Sequence, residues 1–110
     1  MTDINNKELL LEAIDHYDVY SLTQRETLKA LVNISIDSVV TVSPTALGKL
    51  TKIRRGIIYH NLKIFEKDKF IAKVTKTTKR ATVFKLSGSK LDYLVKLYEN
   101  KRNYFDNTSK

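Results

Sequence analysis

The 110-residue chain has no cysteine and no tryptophan, one proline and three glycines. Without cysteine it forms no disulfide and no thiolate metal site. Its two histidines, His16 and His60, stand far apart and lack neighbours at metal-ligand spacing, so no metal or other cofactor is expected. So few glycines and prolines leave no linker, no low-complexity stretch and no repeat, and one domain is expected over residues 1–110. No apolar run approaches the roughly 18 residues that a membrane span needs. The opening MTDINNKELL has no secretory pattern, so a cytoplasmic protein without membrane contact is expected. Glycine-rich phosphate loops and paired carboxylates are also missing. Asp15, His16 and Ser21 lie on an acidic segment without catalytic spacing, so the chain is not expected to be an enzyme.

Acid is scarce where base is dense. Residues 49–85 carry twelve Lys or Arg against only Glu66 and Asp68, a local net of +10 that exceeds the +8 of the whole chain. Residues 1–48 hold three basic and seven acidic residues. A surplus confined to one segment reads as an electrostatic footprint for a polyanion.

Residues 5–17 place Leu10, Ala13 or Ile14, and Tyr17 at helical spacing. A second helix is expected from Thr23, whose hydroxyl would pair with Glu26 in a capping box, with Leu28, Leu31 and Val32 inward. IDSVVTV (36–42) reads as a short β-branched strand ending at Ser43-Pro44, where Ser43 caps a helix running to about Leu50. After Thr51-Lys52-Ile53 a longer helix is expected from Arg54 to about Lys67, with Ile58, Leu62 and Phe65 inward. FIAKVT (70–75) and ATVFKLS (81–87) read as a hairpin with one wet face, linked by the basic residues 76–80. Ser89, with Asp92, is expected to cap a last helix over 89–105, on which Leu91, Leu94, Val95, Tyr98 and Phe105 form one stripe, widened by Leu97 and Tyr104.

Two helices joined by three residues and followed by a basic hairpin resemble a winged helix-turn-helix domain. The resemblance is specific across ALGKLTKIRRGIIYHNLKIFEKDKFI (46–71). Gly48 falls where that family has a small residue at the helix crossing, and Ile53 matches the buried aliphatic of the turn. Ile58-Tyr59, Leu62, Phe65-Glu66 and Phe70-Ile71 match the pattern that follows. The sequence departs from the family at Lys52, where the turn often has glycine, and at Ile57, where Ser or Thr commonly meets phosphate. The implied fold is α+β: a winged helix-turn-helix (44–67, wing 70–87) with flanking N- and C-terminal helices.

The resemblance implies double-stranded DNA as partner. Recognition helices bring their N-terminal residues to base edges in the major groove. Arg54, Arg55 and Gly56 would hold that end, the arginine fork matching guanine and the glycine allowing close approach. Tyr59, His60 and Lys63 share the outer face, while Ile57 would meet either a thymine methyl or a partner protomer. Lys49, Lys52 and Thr45 on the approach, and Lys76, Lys79 and Arg80 on the wing, are placed for phosphates. The stripe Leu91, Leu94, Val95, Tyr98 and Phe105 would carry a homodimer, suited to two half-sites. A sequence-specific transcriptional repressor or regulator is the first reading. The others are a plasmid or phage partition or replication protein on repeated sites, and a winged helix used for protein contact.

Overall fold

The second helix of the chain opens at Ser21, two residues before Thr23. In a computed structural model, which describes the backbone of residues 4–78 and 81–108 and the side chains of 7–74 and 82–102, Ser21 Oγ accepts from the Gln24 N–H at 3.3 Å. Gln24 Oε1 in turn accepts from the Ser21 N–H at 2.8 Å. A capping box is present, but on the other of two Ser/Thr-x-x-Glu/Gln pairs. Thr23 lies inside the first turn of the helix, and Glu26 is engaged by Lys29 at 3.0 Å.

The elements are α1 (Ile4–Asp15), α2 (Leu22–Ile34), β1 (Val39–Val42), α3 (Pro44–Thr51), α4 (Arg55–Lys67), β2 (Ile71–Thr78), β3 (Ala81–Leu86) and α5 (Gly88–Thr108). The strand expected over 36–42 is shortened by a tight turn. Asp37 and Ser38 both take positive φ, 52° and 66°, and Ile36 and Val39 exchange backbone hydrogen bonds across them. Positive φ at both central residues is the geometry that matches strand twist in two-residue hairpins.

The sheet is antiparallel in the order β1-β3-β2, with Val40 opposite Phe84 and Ile71 opposite Leu86. Val40, Val42, Ile71, Phe84 and Leu86 point inward and Lys85 outward, as alternation requires. Residues 76–78, expected in the link of the hairpin, belong to β2, and Thr78 pairs with Ala81. Ladder hydrogen bonding carries the strands past the point where the apolar pattern stops.

Ile58, Leu62 and Phe65 are buried as their spacing demands. An aromatic group locks the far end of α4: Tyr20 lies 5.4 Å from Phe65 and 5.6 Å from Phe70, and Tyr17 packs edge-on to Tyr20 at 5.1 Å. The Tyr20 hydroxyl donates to Asp68 Oδ2 at 2.6 Å. Burial, reinforced by that carboxylate, pushes the Tyr20 phenol above its ordinary pKa.

α5 begins at Gly88, where Ser87 Oγ, rather than Ser89 with Asp92, accepts from the Lys90 N–H at 3.3 Å. Its apolar stripe meets α1. Leu91, Leu94 and Tyr98 join the same buried cluster as Ala13 and Ile14, with Val95 packed against it. Tyr98 donates to Glu12 Oε2 at 2.7 Å, which raises its pKa, and stacks 4.9 Å from His16. Of the residues expected to form a dimer seam, Leu91, Leu94 and Tyr98 are thus covered within one chain, and Val95 in part, because α1 presents an apolar face of its own that needs a cover. The side chain of Phe105 lies outside the described residues.

Candidate nucleic-acid interface

α3 and α4 meet at a turn with little spare room. Ser43 caps α3, accepting from the Ala46 N–H at 3.4 Å, with Pro44 in the first turn. At its other end the Lys52 N–H donates to the Gly48 carbonyl at 2.8 Å, with Lys52 in the left-handed region at φ 62°. A Cβ on Gly48 would come 3.0 Å from the Ile53 carbonyl oxygen, tighter than ordinary contact, so the crossing favours a residue without one. Thr51 Oγ1 accepts from the Ile53 N–H at 3.3 Å and ties the turn to α3.

From there α4 turns one face to solvent. Gly56, Tyr59 with His60, and Lys63 recur at three- and four-residue intervals, and all are exposed. Lys67 continues the stripe four residues after Lys63; the same spacing rule makes it visible in the sequence, although it was not among the expected contacts. Arg55 flanks the stripe on one side. Ile57 flanks it on the other, 39% exposed, seven residues before the half-buried Ile64. Ile57 thus stands exposed at the margin of that face. Thr45, Lys49, Lys52 and Arg54 are exposed on α3 and the turn.

Two features mark this face as unfinished within the chain. The space around Gly56 is open: a Cβ there would meet nothing within 4 Å. Arg54 is the N-cap of α4 and provides no side-chain acceptor, so the first-turn amides receive no capping bond. Among the described residues no ion pair engages Lys49, Lys52, Arg54, Arg55 or Lys63. Of the two acids in the basic segment, Asp68 is turned to Tyr20 and Glu66 is half-buried. The result is an exposed basic helix face with open amides at one end, chemistry complementary to an anion.

On the wing, Lys73 and Lys85 are exposed. Lys79 and Arg80 lie outside the described residues, as does the side chain of Lys76, whose backbone belongs to β2. Sequence periodicity did not reveal Asn61, which is buried on the inward side of α4. Its amide nitrogen donates to Thr27 Oγ1 at 3.0 Å and to the Thr23 carbonyl at 3.3 Å. An asparagine inside a buried stripe is the signal that could have found it. Among the described residues no group of His, Asp or Glu could hold a metal ion, and no helix is long and apolar enough to cross a membrane.

No protein-family model matches the chain, and no curated protein sequence matches it. Solved structures do. A possible transcriptional regulator from Methanosarcina mazei Go1 superposes with a TM-score of 0.55 at 10% identity, over 94% of this chain and 82% of the other. TrmBL2, an archaeal chromatin protein with a novel mode of DNA binding, gives 0.55 at 14% identity, over 94% of this chain and 37% of TrmBL2. The chain thus spans little more than a third of TrmBL2. Among the described residues the five helices and three-stranded antiparallel sheet form a winged helix-turn-helix fold.

Proposed function

We propose that the chain is a sequence-specific double-stranded DNA-binding protein, a transcriptional regulator rather than an enzyme, acting as a cytoplasmic homodimer. The observation that carries this reading is the outer face of α4, exposed, basic and open at Gly56. In the reading, α4 lies in the major groove. Arg54 and Arg55 are at base edges, Tyr59, His60 and Lys63 further along, and Lys49, Lys52 and Thr45 on the phosphates. Lys73, Lys76, Lys79, Arg80 and Lys85 follow the backbone from the wing.

The dimer in this reading uses the side of α5 that α1 leaves open. Tyr93 and Leu97 stand one turn apart there, 48% and 38% exposed, beside the buried Leu94. Changing both to Glu is expected to give a folded monomer in sedimentation; an unchanged mass moves the contact elsewhere.

The test of the function is titration of labelled duplex at several salt concentrations. With about 6–8 phosphate contacts per dimer, log K against log salt falls with a slope near −5 to −7. A slope near zero removes duplex DNA as the main partner. Selection of bound sequences from a random pool then separates jobs: one two-fold symmetric site supports a regulator, and an array of repeats assigns the chain to partition or replication.

A further inference from the structure

The outer face of α4 can match base edges only while the helix is held at one rotation about its axis. Its inward contacts through Ile58, Leu62 and Phe65 are apolar, and apolar burial is non-directional. By themselves they resist a roll through packing but set no sharp angle. Asn61 is the directional group on that inward side. It is 1% exposed, and its Nδ2 donates to Thr27 Oγ1 at 3.0 Å and to the Thr23 carbonyl at 3.3 Å. Thr27, fully buried, donates its single hydroxyl proton to the same carbonyl at 2.7 Å. Because that proton is committed, the Thr27 oxygen can only accept from Asn61, which fixes the orientation of the amide.

The magnitude of a roll shows what the relay does. A rotation of about 10° moves side chains at about 6 Å from the axis by about 1 Å. Good N–H···O distances span only about 0.5 Å, so a smaller roll, one that the inward side chains absorb with shifts of a few tenths of an ångström, already weakens base contacts. Stability alone does not call for the relay. Replacing both partners of a buried hydrogen bond by apolar groups of the same shape is nearly neutral.

We propose that Asn61, anchored to Thr27 and Thr23 of α2, is the positioning residue that sets the angle at which α4 meets the groove, and so governs sequence discrimination without touching DNA. This rests on the duplex-reading function proposed above.

The experiment compares the full-length chain with the double variant Asn61→Leu/Thr27→Val, and with Thr27→Val alone. Thr27→Val is isosteric and leaves the amide only its longer bond to Thr23. Each is titrated on the selected duplex and on a scrambled one, and each is put through the random-pool selection. Folding is checked by circular dichroism and melting. The expected result is unchanged salt slope and scrambled-duplex affinity, with affinity for the selected site lower by about tenfold, the worth of one good base contact. The preference should flatten at every position α4 addresses, whereas loss of a contacting arginine flattens one or two. If the double variant melts below the assay temperature, Thr27→Val decides by the same criteria. Folded variants that discriminate as sharply as the wild type overturn the positioning role and leave DNA reading intact. A wild-type chain that binds no duplex, or binds every duplex alike, overturns the function itself and this inference with it.

Discussion

The Lys52 N–H donates to the Gly48 carbonyl at 2.8 Å, and this bond closes α3 with Lys52 in the left-handed region, a conformation that L residues other than glycine adopt only at a cost. The two residues divide the demands of the turn between them. Gly48 leaves room for the Ile53 carbonyl, and Lys52 provides the reversal.

Gly48→Ala sets a gain against a clash. Alanine favours a helix by about 1 kcal/mol, but its Cβ would sit 3.0 Å from a backbone oxygen in a turn held by two hydrogen bonds. Overpacking of this kind costs about 1–3 kcal/mol, so a net loss of about 1 kcal/mol is expected. A lower midpoint in urea unfolding is the check; a higher midpoint shows that the turn yields easily.

Lys52→Gly should move stability and binding in opposite directions. Relief of the left-handed backbone is worth about 1 kcal/mol. Loss of an exposed lysine beside α4 weakens duplex binding and makes the salt slope shallower by about one unit. Urea unfolding and duplex titration of one variant read both. A slope that does not change takes Lys52 off the phosphates.

Gly56→Ala has no clash to set against its helix preference, because the space around it is open. The variant should be more stable, by up to about 1 kcal/mol, yet bind duplex more weakly where the new methyl meets the groove. Equal affinity for the two proteins would place Gly56 away from the contact.

Tyr20→Phe tests the lock at the far end of α4. It removes the hydrogen bond to Asp68 and should cost about 1–2 kcal/mol at neutral pH. The pH dependence has a definite sign. The folded Tyr20 pKa is raised above the unfolded value, mainly by burial. Its stabilising contribution is therefore complete below the unfolded value near pH 10 and is lost progressively as pH rises from there toward the higher folded pKa. The gap between wild type and variant should narrow above pH 10 in chemical unfolding. A constant gap means that Tyr20 titrates alike in both states.

Elements were legible where one local pattern had no rival. Ile58, Leu62 and Phe65 repeat at helical spacing, and their burial leaves Gly56, Tyr59, His60 and Lys63 outside. The proline at the start of α3 and the serine before it mark that boundary without help from distant residues. Where two local options were nearly equal, packing chose. Ser21-Gln24 and Thr23-Glu26 both fit a capping box; the helix starts at Leu22, which leaves Thr23 inside its first turn, and the Glu26 carboxylate pairs with Lys29.

By itself the sequence determined the concentration of positive charge on residues 49–85, the helix-turn-helix spacing and the outward face of α4, since charge, periodicity and chain reversal depend on neighbours a few residues apart. Only the tertiary structure decided what covers α5 and what holds α4 in rotation. The stripe through Leu91, Leu94 and Tyr98 reads first as a dimer seam, and its internal contact shows only when α1 is laid against it. Asn61 becomes a directional anchor only because α2, some thirty residues earlier in the chain, brings the Thr27 hydroxyl within 3.0 Å. Contacts between residues so far apart follow from the packing of whole elements, and no local pattern encodes them.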